Sequence, residues 1–485
     1  MPRVDLIEQD IEQAVEYFQR FHQRFAHHFA TTTRTMSREA KHYSHGQLTC
    51  EKKGNLWEFE KTVPESESQS MQHFISNSPW EDDPLLDDVS QAVMNRIGDE
   101  THGAIHIDES GFEKCGNMSV GVARQYCGRL GKVENCPFGW EEEPHAQVGV
   151  LLGYTQASHR ILLDRRLYLP EQWISDKTRR KKCGVPKDTT FQTKAELGLE
   201  LIRAADTRKL SYAFIGFDCH YGQQPWLLET LENENQIYIA DVPCTTRVWL
   251  ACPLVEIPAR KGNRGRIPTK QKVVDNQPVA IEVRKLAKSL DSVHWQRVFV
   301  RDTERGQLWV KLIALRVYPV RDGLPGPQTW LIIRVNEQTG EIKYQLSNAP
   351  ADTSFQRLAQ MSHSRFWMER AIEDAKGQAG LADYQLRSWR AEWFKASKAL
   401  DLSAGWHHHM TMTILAMLFL LELHLDWKPK AVNLTLCDVR EILEVVLPQR
   451  RMTSSEILKW IAKKHKARLS ARHSHARTKS QKTVA

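Results

Sequence analysis

The stretch Gly103-Ala-Ile-His-Ile-Asp108 decides the fold. Ile105 and Ile107 alternate around His106 and lead into Asp108, the period-two pattern of a strand that ends in a carboxylate. A second run, Tyr212-Ala-Phe-Ile-Gly-Phe-Asp218, repeats the design: a compact apolar strand and then an Asp. Between the two, Val148 to Tyr154 and Arg160 to Leu163 read as further strands and Lys194 to Ala205 as a helix. Strands alternating with helices predict an α/β core.

Outward from this core the pattern changes twice. Residues up to about 98 read as mostly helical, with Ile7, Ile11, Val15 and Phe18 at helix spacing and a helix-start signal between Ser76 and Val89. That region is either a plain helical bundle or a DNA-end-binding unit. From about 246 to 350 the signal is β: Val248 to Val255, Val298 to Arg301, Leu308 to Val317, Trp330 to Val335 and Ile342 to Leu346, broken by Asp322-Gly323, Pro325-Gly326 and Thr339-Gly340. Helices return from about 355. The expected division is a helical unit over 1–98, a core over 99–245 that resumes over 351–445, a β-rich insertion over 246–350 and a basic tail over 446–485.

Charge and composition narrow the function. The 485 residues carry a net charge of +8, and after Glu456 nine Lys or Arg follow with no acid. Such a tail is either a solvated end or a phosphate-seeking arm. Cations also crowd the Gly-rich stretch that holds Arg260, Lys261, Arg264 and Arg266, which reads as a flexible loop or a backbone-tracking arm. Arg387 and Arg390 stand beside Trp389 and Trp393, aromatics that suit a core or base stacking. Nine Cys with no CxxC pair argue against a zinc ribbon and a disulfide framework. The N-terminus has no signal-peptide core, and the apolar run Ile414 to Leu425, with Glu422 inside it, reads as a buried helix rather than a membrane span. A cytoplasmic protein without a membrane partner is the expectation.

The chemistry centres on Arg365-Phe-Trp-Met-Glu369-Arg-Ala-Ile-Glu-Asp-Ala-Lys376. Offsets of four and seven residues are about one and two helical turns, so Arg365, Glu369 and Lys376 share a face. Read alone, Arg365 and Glu369 could be a surface ion pair of little energetic worth. Taken with Asp108 and Asp218, Glu369 completes a set of hard oxygen ligands suited to Mg²⁺ or Mn²⁺. The offsets favour Glu369 over its neighbour Glu373. His407-His408-His409 reads as a solvated or DNA-facing cluster, because adjacent helical residues cannot all face one ion. His220, just after Asp218, suits a supporting role beside the metal.

These motifs resemble those of bacterial insertion-sequence transposases of the DDE superfamily, in the group bearing the Y-(2)-R-(3)-E-(6)-K signature. Arg365, Glu369 and Lys376 match its R, E and K, while Ser362 stands in the Tyr position. Leu162 to Trp173, Phe217 to Gly222, Ala379 to Arg390 and His106 to Cys136 resemble one branch of the group, with Glu109 where that branch has a second Asp. The resemblance implies an RNase H-like α/β core interrupted by a β-rich insertion, with Asp108, Asp218 and Glu369 as a catalytic and metal-binding triad for two ions. It implies that Arg365 and Lys376 hold a DNA phosphate. It implies double-stranded DNA as partner, both terminal inverted repeats and target, and a homodimer in the synaptic complex. The expected activity is metal-dependent cleavage and strand transfer. The alternatives are a transposase-derived DNA-binding protein without catalysis, or a nuclease without strand transfer.

Overall fold

The computed structural model describes residues 4–31, 34–50, 54–114, 119–123, 145–183, 185–259, 267–303, 306–337, 340–384 and 404–483. Arg260, Lys261, Arg264, Arg266, Arg387 and Arg390, with Trp389 and Trp393, lie outside the described residues.

Five helices come first: α1 (Glu8–Phe25), α2 (Ser37–Thr49), α3 (Leu56–Thr62), α4 (Ser68–Ser76) and α5 (Asp82–Ile97). They form because their apolar positions recur at helical spacing, as in Ala14, Phe18, Phe21 and Phe25 of α1, all buried. Three strands follow, β1 (Ala104–Lys114), β2 (His145–Gln156) and β3 (His159–Leu167). Next come α6 (Glu171–Ser175), α7 (Lys177–Cys183) and α8 (Lys194–Thr207), the last opened by a Thr193/Glu196 capping box. Strand β4 (Phe214–Phe217), helices α9 (Cys219–Gly222) and α10 (Pro225–Asn233) and strand β5 (Tyr238–Val242) complete the first half.

The β-rich stretch supplies β6 (Arg247–Trp249), β7 (Val255–Glu256), β8 (Lys272–Val273), β9 (Ile281–Glu282), α11 (Val283–Ser289), β10 (Gln296–Thr303), β11 (Gly306–Arg321), β12 (Leu324–Pro325), β13 (Thr329–Asn336) and β14 (Ile342–Ser347). The strand expected from Val248 to Val255 survives only at its two ends, as β6 and β7. Asp322 and Gly323 both take positive φ, which makes the tight turn between β11 and β12 and needs a residue without a Cβ at its second position. Four helices close the chain: α12 (Phe355–Gln378), α13 (Ala404–Trp427), α14 (Leu436–Val446) and α15 (Ser454–Thr483). The basic tail is thus helical from Ser454 to Thr483, and Arg450 and Lys463 tie its beginning to Glu60 of α3.

Among the described residues one mixed sheet takes in twelve strands, in the order β3-β2-β1-β4-β5-β14-β13-β11-β6-β9, with β10 and β12 paired to β11. β1 is antiparallel to β2 and parallel to β4, and β4 is parallel to β5. The β-rich stretch does not stand apart, because β14 pairs with β5 and the ladder runs on without a break. Nor does the core divide near residue 98. One apolar cluster joins Phe18 and Phe21 of α1, Leu85 and Val89 of α5, Ile105 and Ile107 of β1, and Leu415 and Phe419 of α13.

Helix α13 is the axis of that cluster. It is long and apolar enough to cross a membrane by length and composition, yet 89% of its most apolar window is buried in the protein. Its Glu422 is buried too, accepting hydrogen bonds from Tyr17 and, at 2.9 Å, from Arg24, as a buried charge must be paired. Arg165 of β3, almost fully buried, is neutralised by Asp164 beside it and by Asp82 of α5, which fastens the helical layer to the sheet.

Candidate active site

The parallel pair β1 and β4 sets the site. Their register matches Ile107 with Phe217, and β4 stops there. Asp218 follows as the N-cap of α9, its Oδ1 accepting from the backbone N–H of His220 at 2.9 Å and of Tyr221 at 3.3 Å. β1 does not stop: Asp108 lies in mid-strand, and the strand runs to Lys114 because β2 pairs with it along its whole length. The expectation that Asp108 ends its strand is therefore corrected. Asp108 sits where the parallel neighbour has run out, and a crevice opens beyond the carboxyl ends of parallel strands, where α/β sheets place ligands.

The close approach of β1 and β4 depends on a missing side chain. A Cβ on Gly216 would lie 2.2 Å from Nδ1 of His106, a fully buried side chain whose Nε2 is 3.0 Å from the Thr155 hydroxyl. His106 is therefore a core residue beneath the site.

Helix α12 brings the third acid. It is capped by Ser354, packs Leu358, Met361, Met368, Ile372 and Ala375 against the sheet, and is held to β3 by Arg160 donating to the buried Asp374 at 2.6 Å. Arg365 points into the crevice. Its Nη2 is 3.2 Å from Asp108 Oδ2, and its Nη1 is 2.9 Å from Glu369 Oε1 and 3.7 Å from Asp241 Oδ2. Two of the three sequence-predicted acids, Asp108 and Glu369, thus meet at one guanidinium, and Asp218 is close enough to raise the Asp108 carboxyl electrostatically.

Asp241 is the residue that sequence reasoning missed. It lies on β5, buried, its Oδ1 accepting from Gln345 Nε2 at 2.6 Å across the β5–β14 pair. The signal was a single carboxylate in the short apolar run Tyr238-Ile-Ala-Asp-Val242, which is unusual for a strand buried at every position.

The electrostatics follow from burial. The Asp108 carboxyl is pushed up to about 6, first by loss of solvent and then by Asp218 and Glu369, with Arg365 pulling the other way. Burial works against the Arg365 charge, but Asp108, Glu369, Asp241 and Asp218 outweigh it and hold the guanidinium firmly protonated. Three carboxylates meet the one guanidinium, and Asp218 adds a fourth acid beside Asp108. The donors are hard oxygens, the set that suits a divalent cation such as Mg²⁺.

The other expectations fare differently. Lys376 is on the helix but not in the cluster: its ammonium lies 5.8 Å from the centre of the Phe112 ring, beside a cleft of about 710 Å³ also lined by Lys114. Ser362 is wholly buried and its hydroxyl has no hydrogen-bond partner among the described residues. Glu373 pairs with Arg370 at 2.7 Å, away from the acids. Glu109 faces Lys194 at 2.7 Å. His220 follows Asp218 in the α9 turn and is half-buried.

His408 and His409 are not solvated, and for these two the expectation is corrected, while His407 is half-buried. His408 stacks on Trp80 at 3.8 Å with its ring nitrogens 3.1 and 3.0 Å from the carbonyls of Ile75 and Trp80. His409 meets the Tyr43 hydroxyl at 2.6 Å. Burial lowers both to about 3, so they are neutral core groups. They are buried because α13, which carries them, is surrounded by other elements.

Comparison with known proteins adds the following. The family described as DDE superfamily endonuclease matches residues 17–307, more than half of the chain; that span contains Asp108, Asp218 and Asp241 and ends before Glu369. Over 365 residues the chain is 24% identical to the probable transposase for insertion sequence element IS701 of Microchaete diplosiphon, covering 72% of this chain and 77% of that one. The cryo-EM structure of the piggyBac transposase synaptic complex with hairpin DNA aligns over 93% of this chain and 86% of that chain at 10% identity, with a TM-score of 0.26, too low to support an argument about fold.

Proposed function

The chain belongs to the DDE superfamily endonucleases, and on that premise we propose that it is a DNA transposase that cleaves the ends of its element and joins them to target DNA. The observation that carries this reading is the meeting of Asp108, from mid-strand, and Glu369, from a distant helix, at Arg365, with Asp218 at the end of the neighbouring parallel strand acting on Asp108. The strand order β3-β2-β1-β4-β5, three antiparallel strands followed by two parallel ones, supports an RNase H-like core. The similarity to the IS701 transposase supports DNA as the substrate.

Asp108, Asp218 and Glu369 would hold Mg²⁺ or Mn²⁺, in two ions. Metal bound there supplies Lewis acidity that readies the attacking oxygen and steadies the leaving one. Water attacks the scissile phosphorus and the bond to the 3′ oxygen breaks, leaving a 5′ phosphate; the freed 3′ hydroxyl then attacks a target phosphodiester, whose own 3′ oxygen leaves as the new bond forms. The chain's own part is positioning. Arg365 offers planar donors to a phosphate oxygen once the acids no longer need it, and Lys376 offers a second cation about 10 Å further along α12. The N-terminal helices and the basic segments would engage the terminal repeats, and synapsis of two ends would use two copies of the chain.

A cleavage assay on DNA carrying the sequences that flank the gene tests the reading. Wild type with Mg²⁺ should nick the element ends and yield joined products on a target plasmid. Asp108→Ala, Asp218→Ala and Glu369→Ala should each abolish cleavage while retaining DNA binding. Metal-dependent cleavage surviving in any of the three overturns the triad. Cleavage without joined products points instead to a nuclease, and binding without any cleavage to a transposase-derived DNA-binding protein.

A further inference from the structure

Two arginines on the sheet face α12 with no carboxylate at ion-pair distance among the described residues. Arg301 lies on β10 and Arg334 on β13. The Nε of each is buried with no hydrogen-bond partner among the described residues. Arg301 is not loose: its guanidinium stacks over Phe366 at 4.1 Å and Trp367 at 4.6 Å. Stacking by the flat face leaves the in-plane N–H groups of an arginine available to a planar acceptor. Arg334 stands directly opposite Lys343 in the antiparallel β13–β14 register. Like charges facing each other across a ladder are destabilising; Glu341, 3.9 Å from Lys343, offsets part of this repulsion, and a further anion between the two cations would offset more of it.

These cations share one cavity, of about 270 Å³, with Arg365, Asp241 and Glu369. Three acids line it as well and are already engaged: Asp241 by Gln345 and Arg365, Glu369 by Arg365, and Glu341 by Lys343 at 3.9 Å. Burial also works against the charge on Arg334, as does Arg365, and Asp241, Glu341 and Glu369 offset this only in part. The cavity therefore has an anion-seeking wall that adjoins the carboxylate cluster.

We propose that Arg301, Arg334 and Lys343 form a phosphodiester-binding subsite on the sheet side of the carboxylate cluster. It grips the nucleic-acid backbone next to the phosphate that reacts. The inference rests on the transposase reading above and deepens it: the strands β10, β13 and β14 of the β-rich stretch contribute directly to the site.

Fluorescence anisotropy with a short labelled DNA duplex, in metal-free buffer over a salt series, tests it. The double variant Arg301→Gln/Arg334→Gln should bind about tenfold more weakly at low salt or worse, with a salt slope reduced by about two. Lys343→Gln should reduce the slope by about one. The melting temperature of Arg334→Gln should be unchanged or higher, because the facing charges are relieved. Arg203→Gln, at an exposed arginine paired with Glu234 at 2.5 Å, should leave affinity and slope unchanged. Unaltered affinity in the double variant overturns the subsite and leaves the transposase reading standing. An equal loss in Arg203→Gln, or a loss that tracks a lowered melting temperature, also overturns it. A wild-type protein that binds no duplex overturns both.

Discussion

Arg365 and Asp108 are 257 positions apart in the chain, yet Nη2 of the first lies 3.2 Å from Oδ2 of the second. The contact closes the gap between the first half of the sheet and the helix that follows the β-rich stretch. It also leaves a positive group inside a carboxylate cluster, in place of the solvent-facing clamp that the helix offsets suggest.

Removing that positive group should expose the charge imbalance. Arg365→Ala leaves Asp108, Asp241 and Glu369 without their shared partner. In metal-free buffer the variant should lose on the order of 2–4 kcal/mol of stability, the cost of breaking a largely buried pair. Added Mn²⁺ should raise its melting temperature more than that of wild type. Equal responses to Mn²⁺ in the two proteins would show that the guanidinium and the metal do not share the acids.

Asp108 itself should be costly to the empty site. Its carboxyl rises from 3.8 to about 6 on folding, so between about pH 4 and pH 6 the folded state holds the proton more tightly than the unfolded chain does. Stability from this group is therefore full at low pH and lost as pH rises through 6. Asp108→Asn should be more stable than wild type at pH 8 without metal, by on the order of 2–3 kcal/mol in denaturant unfolding. The advantage should vanish below about pH 4. Buried neutral histidines such as His408 and His409, held at about 3, act in the opposite sense and weaken the fold on acidification, so only the difference between the two proteins isolates Asp108.

Gly222 is the tightest joint under the site. A Cβ there would lie 2.0 Å from the backbone oxygen of Asp241, an atom that cannot swing aside. Gly222→Ala should lift the α9 turn, which begins at Asp218, off β5. A loss of about 1–3 kcal/mol or more in denaturant unfolding is expected, with reduced cleavage. Wild-type stability in this variant would mean that the α9–β5 contact is looser than described.

Restoring the signature's tyrosine should not help. Ser362 is wholly buried, and its backbone oxygen accepts from Gln345 Nε2 at 3.2 Å, the same amide that holds Asp241. A phenol ring has no room at a side chain with no solvent exposure without displacing what packs around it. Ser362→Tyr should lower the melting temperature and leave DNA affinity no better. Tighter DNA binding at unchanged stability would show that the position reaches solvent.

The sequence by itself determined what is local. Alternation around His106 and the apolar run into Asp218 marked the two strands, and the four-residue offset put Arg365 and Glu369 on one helix face, where they meet at 2.9 Å. Side-chain periodicity is a property of a few consecutive residues, so such features are legible without a structure. The same offsets also placed Lys376 on that face. A rise of about 1.5 Å per residue carries it roughly 10 Å beyond Glu369, out of reach of the acids. Only the tertiary structure decided which strand lies beside which. The register of Ile107 with Phe217 sets Asp108 beside Asp218, the β5–β14 pairing brings Gln345 to Asp241, and the enclosure of α13 buries histidines that composition alone would leave in water. Each depends on pairing between segments far apart in the chain, and no local pattern encodes the partner.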